Sequence, residues 1–417
     1  MEPTLTTPAV DRRTVASLFS RLRTRKGQSN PQALYTELRN LGDIFPSPWG
    51  GHLVTSYALC DEVMRSRTWR VPDTQWRTSQ GNAARWNTPA SLQTAKSLPM
   101  LNPPHHTRVR RSAGNMFDRS TLTEIKGSIA GNIDVVLDRL EKELLEGPAD
   151  FNSLVADELP VMSIGTWLGL PRADYSLLRS LTNDQTLSQE FFPTPSQLAR
   201  ADAAAHGLQE YFTALVRERR RAPGDDPVSS WIATWDTLEP DRETANAQAH
   251  SMAVFVIVAA LETTEHLLSS MVRLLLEHPE QLDRLRAHPE HIPHVVDETL
   301  RYDPAIHAIS RVAPKDTVLG DTLVREGEMV QLMVGAAQHD PRQYTDPENF
   351  DVGRRPSHFG FGSGIHYCLG APLARLEGKL LLTSMLKRMP ALRISEAPAW
   401  EPRVSFRRLN RLMVTAA

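Results

Sequence analysis

The stretch His358-Phe-Gly-Phe-Gly-Ser-Gly-Ile-His-Tyr-Cys368-Leu-Gly370 decides the fold of this chain of 417 residues. Three glycines precede its single cysteine, and glycine allows turn conformations and close backbone approach that other residues forbid. The apolar spacing from Ala371 to Leu381 predicts an amphipathic helix. Cys368 is therefore predicted to lie in a tight loop before a helix N-terminus, where the helix dipole favours a thiolate. Such a thiolate can be a nucleophile, a redox group or a metal ligand.

The spacing Phe361-Gly-x-Gly-x-His366-x-Cys368-x-Gly370 resembles the haem-binding signature of the cytochrome P-450 family and matches it at every fixed position. The resemblance implies that Cys368 is the axial thiolate ligand of iron in haem b, with Phe361, His366 and Gly370 against the cofactor. Thiolate donation to haem iron favours O–O cleavage. The loop alone also allows an inert buried cysteine, but the further family segments described below argue against it.

Composition places the chain among ordinary globular proteins, with 41% hydrophobic and 23% charged residues. No apolar run reaches the roughly 18 residues of a membrane-spanning helix, and the N-terminus lacks the features of a secretory signal. Two cysteines cannot form a disulfide framework. The net charge of −2 argues against a nucleic-acid binder. We therefore expect a cytoplasmic monomer that binds neither membrane nor nucleic acid.

The expected fold class is mainly α with a small β region, in one domain over residues 1–417 whose residues 1–30 form a loosely ordered lead. The resemblance implies a haem between a long central helix and the helix after the cysteine loop. Residues 67–103 are polar and carry tryptophans, which predicts a long functional loop rather than a disordered one. The break at Phe191-Phe192-Pro-Thr-Pro resembles a flexible lid. We expect residues 67–103 and 188–195 to form the substrate lid.

A single long helix is predicted from Glu243 to His278, and its stretch from Met252 to Leu261 is apolar all round, which indicates burial. A carboxylate that follows such a stretch, Glu262, is costly without a partner or a function. The resemblance implies that Glu262 and Thr263 are the catalytic acid–alcohol pair and that Ala259 and Ala260 contact the cofactor. Ala260 stands where relatives have glycine, and its methyl group could narrow the oxygen-binding groove. Thr263 could equally bond back to a carbonyl one turn earlier.

Basic side chains for an anion come from distant parts of the chain. His106 and Arg110 are four residues apart on one predicted helix face. The resemblance implies that both, with Arg311 and His366, hold the haem propionates. Without the cysteine loop, a solvated basic face would be the better interpretation of His106 and Arg110.

Glu298 and Arg301 are three residues apart on another predicted helix and can pair. Alone, such a pair is usually a weak surface salt bridge. The resemblance implies instead a structural ion network around the haem loop, with Arg354 as its third member.

The function implied by the resemblance is a monooxygenase that hydroxylates or epoxidises a small molecule with O₂ and two electrons. No flavin or iron–sulfur segment follows the C-terminal hairpin, so we expect a separate ferredoxin and its reductase to supply electrons from NAD(P)H. Soluble bacterial relatives often tailor natural products. The alternatives are radical coupling of aromatic groups, a peroxygenase and a non-catalytic haem sensor. The candidate substrate-pocket residues are Trp76, Trp86, Ala259, Ile306 and Val404.

Overall fold

The computed structural model describes residues 10–80, 86–114 and 116–416. The α-helices are α1 (Arg12–Leu22), α2 (Arg25–Ser29), α3 (Pro31–Arg39), α4 (Tyr57–Arg65), α5 (Thr74–Ser79), α6 (Pro89–Ala95), α7 (His105–Ala113), α8 (Arg119–Glu146), α9 (Glu158–Trp167), α10 (Tyr175–Gln185), α11 (Pro195–Arg221), α12 (Pro227–Leu238), α13 (Arg242–Glu277), α14 (Pro279–Ala287), α15 (Ile292–Tyr302), α16 (Val334–Ala337) and α17 (Ala371–Arg388). Short 3-10 turns cover Leu98–Met100, Arg172–Asp174, Thr186–Gln189, Pro289–His291 and Gly364–His366, and a π-helical turn covers Asn152–Ala156.

The strands are short: β1 (Ile44–Pro46), β2 (His52–Val54), β3 (Ala149–Asp150), β4 (Ile309–Val312), β5 (Thr317–Leu319), β6 (Thr322–Val324), β7 (Met329–Leu332), β8 (Leu392–Ile394), β9 (Ala399–Trp400), β10 (Leu409–Arg411) and β11 (Met413–Ala416). One sheet has the order β1-β2-β7-β4 and another β3-β11-β8, while β5 pairs with β6 and β9 with β10. Strands β2 and β7 run parallel, and the other pairs are antiparallel. The prediction of a mainly α fold with a small β region is confirmed.

Helix α13 forms the centre of the fold and confirms the predicted long helix to within one residue at each end. Its N-terminus is capped by Asp241, whose carboxylate accepts the main-chain N–H of Thr244 at 2.9 Å. Helices α9, α10, α11, α12, α15 and α17 pack against it. It is long and apolar enough to cross a membrane, but 67% of its most apolar window is buried inside the protein. Burial by other helices explains its apolar character.

The expectation of a loosely ordered lead is wrong for residues 12–29, which form α1 and α2; residues 1–9 lie outside the described part. The buried face of α1 includes Val15, Leu18 and Phe19. The ring of Phe19 packs edge-on against Trp49 and Phe191, with centroids 4.8 and 5.6 Å away. This face has helical spacing, but the arginines and lysine that follow it made the whole segment look polar.

Residues 67–103 are not one long loop, because α5 and α6 lie within them; residues 81–85 fall outside the described residues. The Asp73 carboxylate caps α5 by accepting Trp76 N–H at 2.9 Å, and the Thr88 hydroxyl caps α6 by accepting Ser91 N–H at 3.3 Å. Helices of one or two turns show no clear apolar period, so the sequence pattern could not distinguish them from a loop.

Candidate active site

The cysteine loop packs tightly against its neighbours. Gly364 has a φ of +63°, and a Cβ atom there would stand 2.4 Å from the carbonyl oxygen of Met64 at the end of α4. Only glycine fits this approach. The N–H of Cys368 donates to the carbonyl of Phe361 at 2.9 Å, which closes the loop. Helix α17 begins at Ala371, as the sequence predicted.

The thiol of Cys368 is exposed to a cavity of about 910 Å³. Burial raises the pKa of this thiol, while the main-chain N–H groups of Gly370 and Ala371 and the charges of Arg110 and Arg375 act in the opposite direction. Burial is the larger effect, so the helix N-terminus alone does not make a thiolate. A cation at Sγ would do so.

Helix α13 lines the same cavity with Ala259, Ala260 and Thr263. The Thr263 hydroxyl donates to the carbonyl of Ala259 at 2.7 Å, the bond one turn back that was one of the two interpretations of this residue. Ala260, whose methyl group was expected to narrow the oxygen-binding groove, lines the cavity. Phe361 and Gly370 line it from the cysteine loop.

His106, Arg110, Arg311 and His366 all line the cavity. His106 Nε2 and His366 Nδ1 are buried with no hydrogen-bond partner among the described residues, and the two rings lie 4.5 Å apart. Arg311 donates to the carbonyl of Ser310 at 2.9 Å, and no described carboxylate forms an ion pair with it. Burial lowers the pKa of Arg311 to about 10 and, with the charges of Arg311, His106 and Arg110, lowers that of His366 to about 3.

This cluster fits the cofactor implied by the resemblance. Buried donors and positive charge without an anionic partner are costly, and they require an anion from outside the chain. A haem supplies two propionates for such a cluster and an iron for Cys368 in the same cavity. The residues present are therefore compatible with haem binding.

Glu262 does not line the cavity, although it is adjacent to Thr263 in sequence. It is buried and forms an ion pair with Arg403, which also donates to the carboxylate of Glu190 at 3.0 Å. Successive helix residues point about 100° apart, so an acid beside a cavity-facing threonine faces another direction. The proposed catalytic pair is thus divided between the cavity and a buried ion cluster.

Glu190 and Arg403 are site residues that were not predicted from the sequence. Glu190 accepts the main-chain N–H groups of Val404, Ser405 and Phe406 at 3.0, 3.0 and 3.1 Å. Val404 was a pocket candidate, but it packs in a core cluster with α1 and α3, whereas Ser405 and Phe406 line the cavity. A group of arginines in the C-terminal segment could have indicated buried ion pairs there. No local sequence pattern identifies the partners of these arginines.

Of the candidate pocket residues, Trp86 and Ile306 line the cavity, but Trp76 does not. The Trp76 indole N–H donates to the carbonyl of Gly327 at 2.8 Å, and its ring packs edge-on against Trp86 with centroids 6.0 Å apart. Trp76 therefore supports a pocket residue instead of lining the pocket.

The structure brings Glu298, Arg301 and Arg354 together. Two nitrogens of Arg301 donate to Glu298 at 2.7 and 2.9 Å, and Arg354 Nε donates to the same carboxylate at 3.2 Å. Glu298 also accepts Asp351 N–H at 3.1 Å, and Arg301 donates to the carbonyl of Pro347 at 2.6 Å. Both ends of the network therefore hold the backbone of residues 347–354, which leads into the cysteine loop.

Comparisons with known proteins agree with this geometry. The family model "Cytochrome P450" matches residues 187–392. A "Biotin biosynthesis cytochrome P450" of Bacillus subtilis (strain 168) is 31% identical over 392 residues, 93% of this chain and 96% of that protein. "Nocardicin C N-oxygenase" of Nocardia uniformis subsp. tsuyamanensis is 34% identical over 311 residues, 74% of this chain and 75% of that protein.

Two solved structures extend the similarity. One is P450BioI in complex with hexadec-9Z-enoic acid ligated acyl carrier protein, with a TM-score of 0.85 and 29% identity over 94% of this chain and 99% of that one. The other is CxnD, described as the enzyme for C–S bond formation in chuangxinmycin biosynthesis, with a TM-score of 0.80 and 27% identity over 93% and 94%.

Proposed function

This chain belongs to the cytochrome P450 family and is an oxidoreductase, and on that premise we propose that it hydroxylates or epoxidises a small organic molecule in natural-product biosynthesis. The observation that carries the proposal is the cavity that Cys368 and Thr263 share. At its wall, His106 Nε2 and His366 Nδ1 have no hydrogen-bond partner, and Arg311 no ion-pair partner, in the described part of the chain. A sensor would need the cysteine but no hydroxyl on α13.

We assign haem b to this cavity, with Cys368 as the iron ligand. When bound, it supplies the activation of O₂ and the oxidising equivalent. The residues that would hold its propionates are His106, Arg110, Arg311 and His366. The N–H groups of Gly370 and Ala371 donate to Sγ and limit its negative charge.

Thr263 is assigned the transfer of protons into the cavity. Its hydroxyl donates to the Ala259 carbonyl, so its oxygen can accept a hydrogen bond from a donor in the cavity. To relay a proton, the hydroxyl turns away from Ala259 and releases its own proton as the oxygen takes up another. Glu262 is assigned a share in proton delivery through the helix rather than contact with the reacting atoms. One of its oxygens pairs with Arg403, and Oε2 has no partner among the described residues. Oε2 is therefore the atom of Glu262 that remains available as a hydrogen-bond acceptor, while Arg403 holds the other oxygen.

We assign the supply of electrons to a separate ferredoxin with a reductase that uses NAD(P)H. The enzyme itself is proposed to be a cytoplasmic monomer. Support for a biosynthetic role comes from the relatives named for biotin biosynthesis and nocardicin C N-oxygenation.

The second candidate is oxidative bond formation within the substrate, without insertion of oxygen. The similarity to the enzyme named for C–S bond formation favours it.

The test begins with a binding screen on the haem-loaded protein that follows the Soret band. Ligands found there are then incubated with ferredoxin, reductase, NAD(P)H and isotopically labelled O₂. A product that carries the label supports the monooxygenase. An unlabelled product with a new bond supports the second candidate, and a product formed only with hydrogen peroxide contradicts both.

A further inference from the structure

One wall of the cavity is formed by α6 with the three residues after it, and by the end of α10 with the following turn. We propose that this acceptor wall (Gln93, Thr94, Ser97, Gln185, Thr186 and Ser188) binds a neutral hydrogen-bond donor of the substrate, an amide N–H or a hydroxyl. All six residues line the cavity. The inference rests on the proposed function and names the class of substrate that it accepts.

Gln185 has an amide whose orientation the surrounding bonds determine. The Thr94 hydroxyl donates its proton to the carbonyl of Ala90 at 2.9 Å, so its oxygen can only accept from Gln185. Gln185 Nε2 therefore points to Thr94 Oγ1, at 2.9 Å. Its Oε1 has no hydrogen-bond partner among the described residues, although the side chain is only 2% exposed. A buried acceptor of this kind requires a donor from a ligand or a water molecule.

Gln93 repeats this arrangement on α6. Its Nε2 donates to the main-chain carbonyl of Ala205 at 3.2 Å, and a carbonyl can only accept. Its Oε1 is therefore also directed away from that bond, and it is buried and without a described partner. Two glutamines on separate elements thus leave carbonyl oxygens unsatisfied at the same wall.

The hydroxyl groups of the acceptor wall have already donated their protons to main-chain carbonyls. Ser97 donates to Thr94 at 2.6 Å, Thr186 to Asn183 at 2.9 Å and Ser188 to Gln185 at 2.9 Å. What these groups retain for a ligand is lone pairs. Together with the two amide oxygens, they make the wall rich in acceptors. Its remaining side-chain donors are the second N–H groups of the two glutamine amides, so a ligand gains most of its hydrogen bonds here by bringing donors.

The charged residues around the cavity favour a neutral ligand group at the acceptor wall over a cationic or an anionic one. The carboxyl groups that line the cavity in the described residues, Glu243 and Glu377, lie on α13 and α17 and not on the acceptor wall. A substrate ammonium would therefore lose its hydration without gaining an ionic partner there. A substrate carboxylate could pair with Lys96, which also lines the cavity beside α6, but against the six residues of the acceptor wall it would meet mainly acceptors. A neutral amide N–H or hydroxyl satisfies the wall at the lowest cost.

The experiment uses the haem-loaded protein and a series of alkyl-linked imidazoles, in which the imidazole binds the haem iron and the far end carries a primary amide. The matched probes end in the N,N-dimethylamide, which keeps the carbonyl and has no N–H. Dissociation constants come from the change in haem absorbance. At the best chain length we expect the primary amide to bind about tenfold more tightly, the effect of roughly one well-made hydrogen bond in a buried site.

Gln185→Leu should reduce this preference to about twofold or less. Gln331→Leu is the control, because Gln331 lines the same cavity but its carbonyl oxygen already accepts the Ser310 hydroxyl at 2.8 Å. If Gln185→Leu does not fold, Gln93→Leu serves in its place, since it leaves the bond between Gln185 and Thr94 intact.

Equal affinity of the two probes at every chain length in the wild type would overturn the inference, and so would an undiminished preference in both variants of the acceptor wall. These affinities need no electrons and no turnover. A chain that forms no product but shows the preference would reject the proposed function alone, and a chain that forms product without the preference would reject this inference alone.

Discussion

The guanidinium of Arg403 lies 3.0 Å from the carboxylate of Glu190 and also pairs with Glu262 on α13, so one buried cation joins two acids from distant segments. Glu190 lies in the connection between α10 and α11, the segment expected to act as a lid. With three main-chain N–H groups and one arginine on its carboxylate, this connection is anchored to residues 403–406. If this connection opens as a lid, it has to break those bonds. Glu190 is therefore the residue that holds the connection in its closed position.

Arg403→Met should lower the free energy of unfolding by about 3–5 kcal/mol, because it leaves two buried carboxylates without their cation. Denaturant unfolding of the haem-loaded protein measures the change. Arg411→Met is the control, since Arg411 pairs with Glu396 at the surface with both side chains about half exposed, and it should cost less than about 1 kcal/mol. Equal losses in the two variants would contradict the role assigned to the buried cluster.

Glu190→Gln should loosen the connection between α10 and α11 more than it destabilises the fold. The amide keeps one acceptor oxygen but loses the charge that holds Arg403 and the N–H groups of residues 404–406. Hydrogen exchange of residues 186–194 should become faster, while exchange within α8 stays at the wild-type rate. Unchanged exchange in residues 186–194 would show that other contacts hold this segment.

The buried carboxyl of Glu377 should make the free energy of unfolding depend on pH in a specific way. Burial raises the pKa of its carboxyl to about 8 from an ordinary 4.5, with Ser163 acting weakly in the other direction. The folded state therefore holds a proton that the unfolded state releases between these values, and the wild type loses about 1.4 kcal/mol per pH unit there. Glu377→Gln removes this loss. The variant's advantage in denaturant unfolding should grow from pH 4.5 to 8 and then level off; a constant difference would contradict the assignment.

Features set by neighbouring residues could be predicted from the sequence. The apolar stretch of α13 and the glycines before Cys368 predicted the long helix and the tight loop, because both patterns depend on residues close in sequence. Glu190 and Arg403 are 213 residues apart, and nothing local to either indicates the other. The direction of Glu262 escaped prediction for a related reason, since the motif fixes its position along α13 but its partner comes from the C-terminal segment.

Cys368→Ser should abolish the long-wavelength absorption band that thiolate ligation gives to the ferrous–CO complex, because a serine hydroxyl is a weaker donor to iron. Cys60→Ala is the matched control. Cys60 is fully buried within α4, and burial holds the pKa of its thiol far above the usual range. The control variant should keep the band. A Cys368→Ser protein that retained it would require another iron ligand.

Thr263→Ala should separate electron consumption from product formation. The substitution removes the hydroxyl that α13 presents beside Ala259 and Ala260, and little volume, so the fold and the thiolate spectrum should survive. With proton transfer misdirected, reduced dioxygen should leave as hydrogen peroxide. We expect NAD(P)H consumption near the wild-type rate, with several-fold less product and a matching rise in peroxide.

Thr263→Ser is the control for this prediction, because it keeps the hydroxyl and should restore most of the coupling between NAD(P)H and product. Undiminished coupling in Thr263→Ala would mean that protons reach the cavity by another route. The isotope experiment then distinguishes the causes. Labelled oxygen in the product would indicate that a polar group of the substrate or a water molecule replaces Thr263. An unlabelled product would instead favour bond formation without oxygen insertion. Such a reaction depends less on the Thr263 hydroxyl, and the Ala260 methyl group interferes with it less.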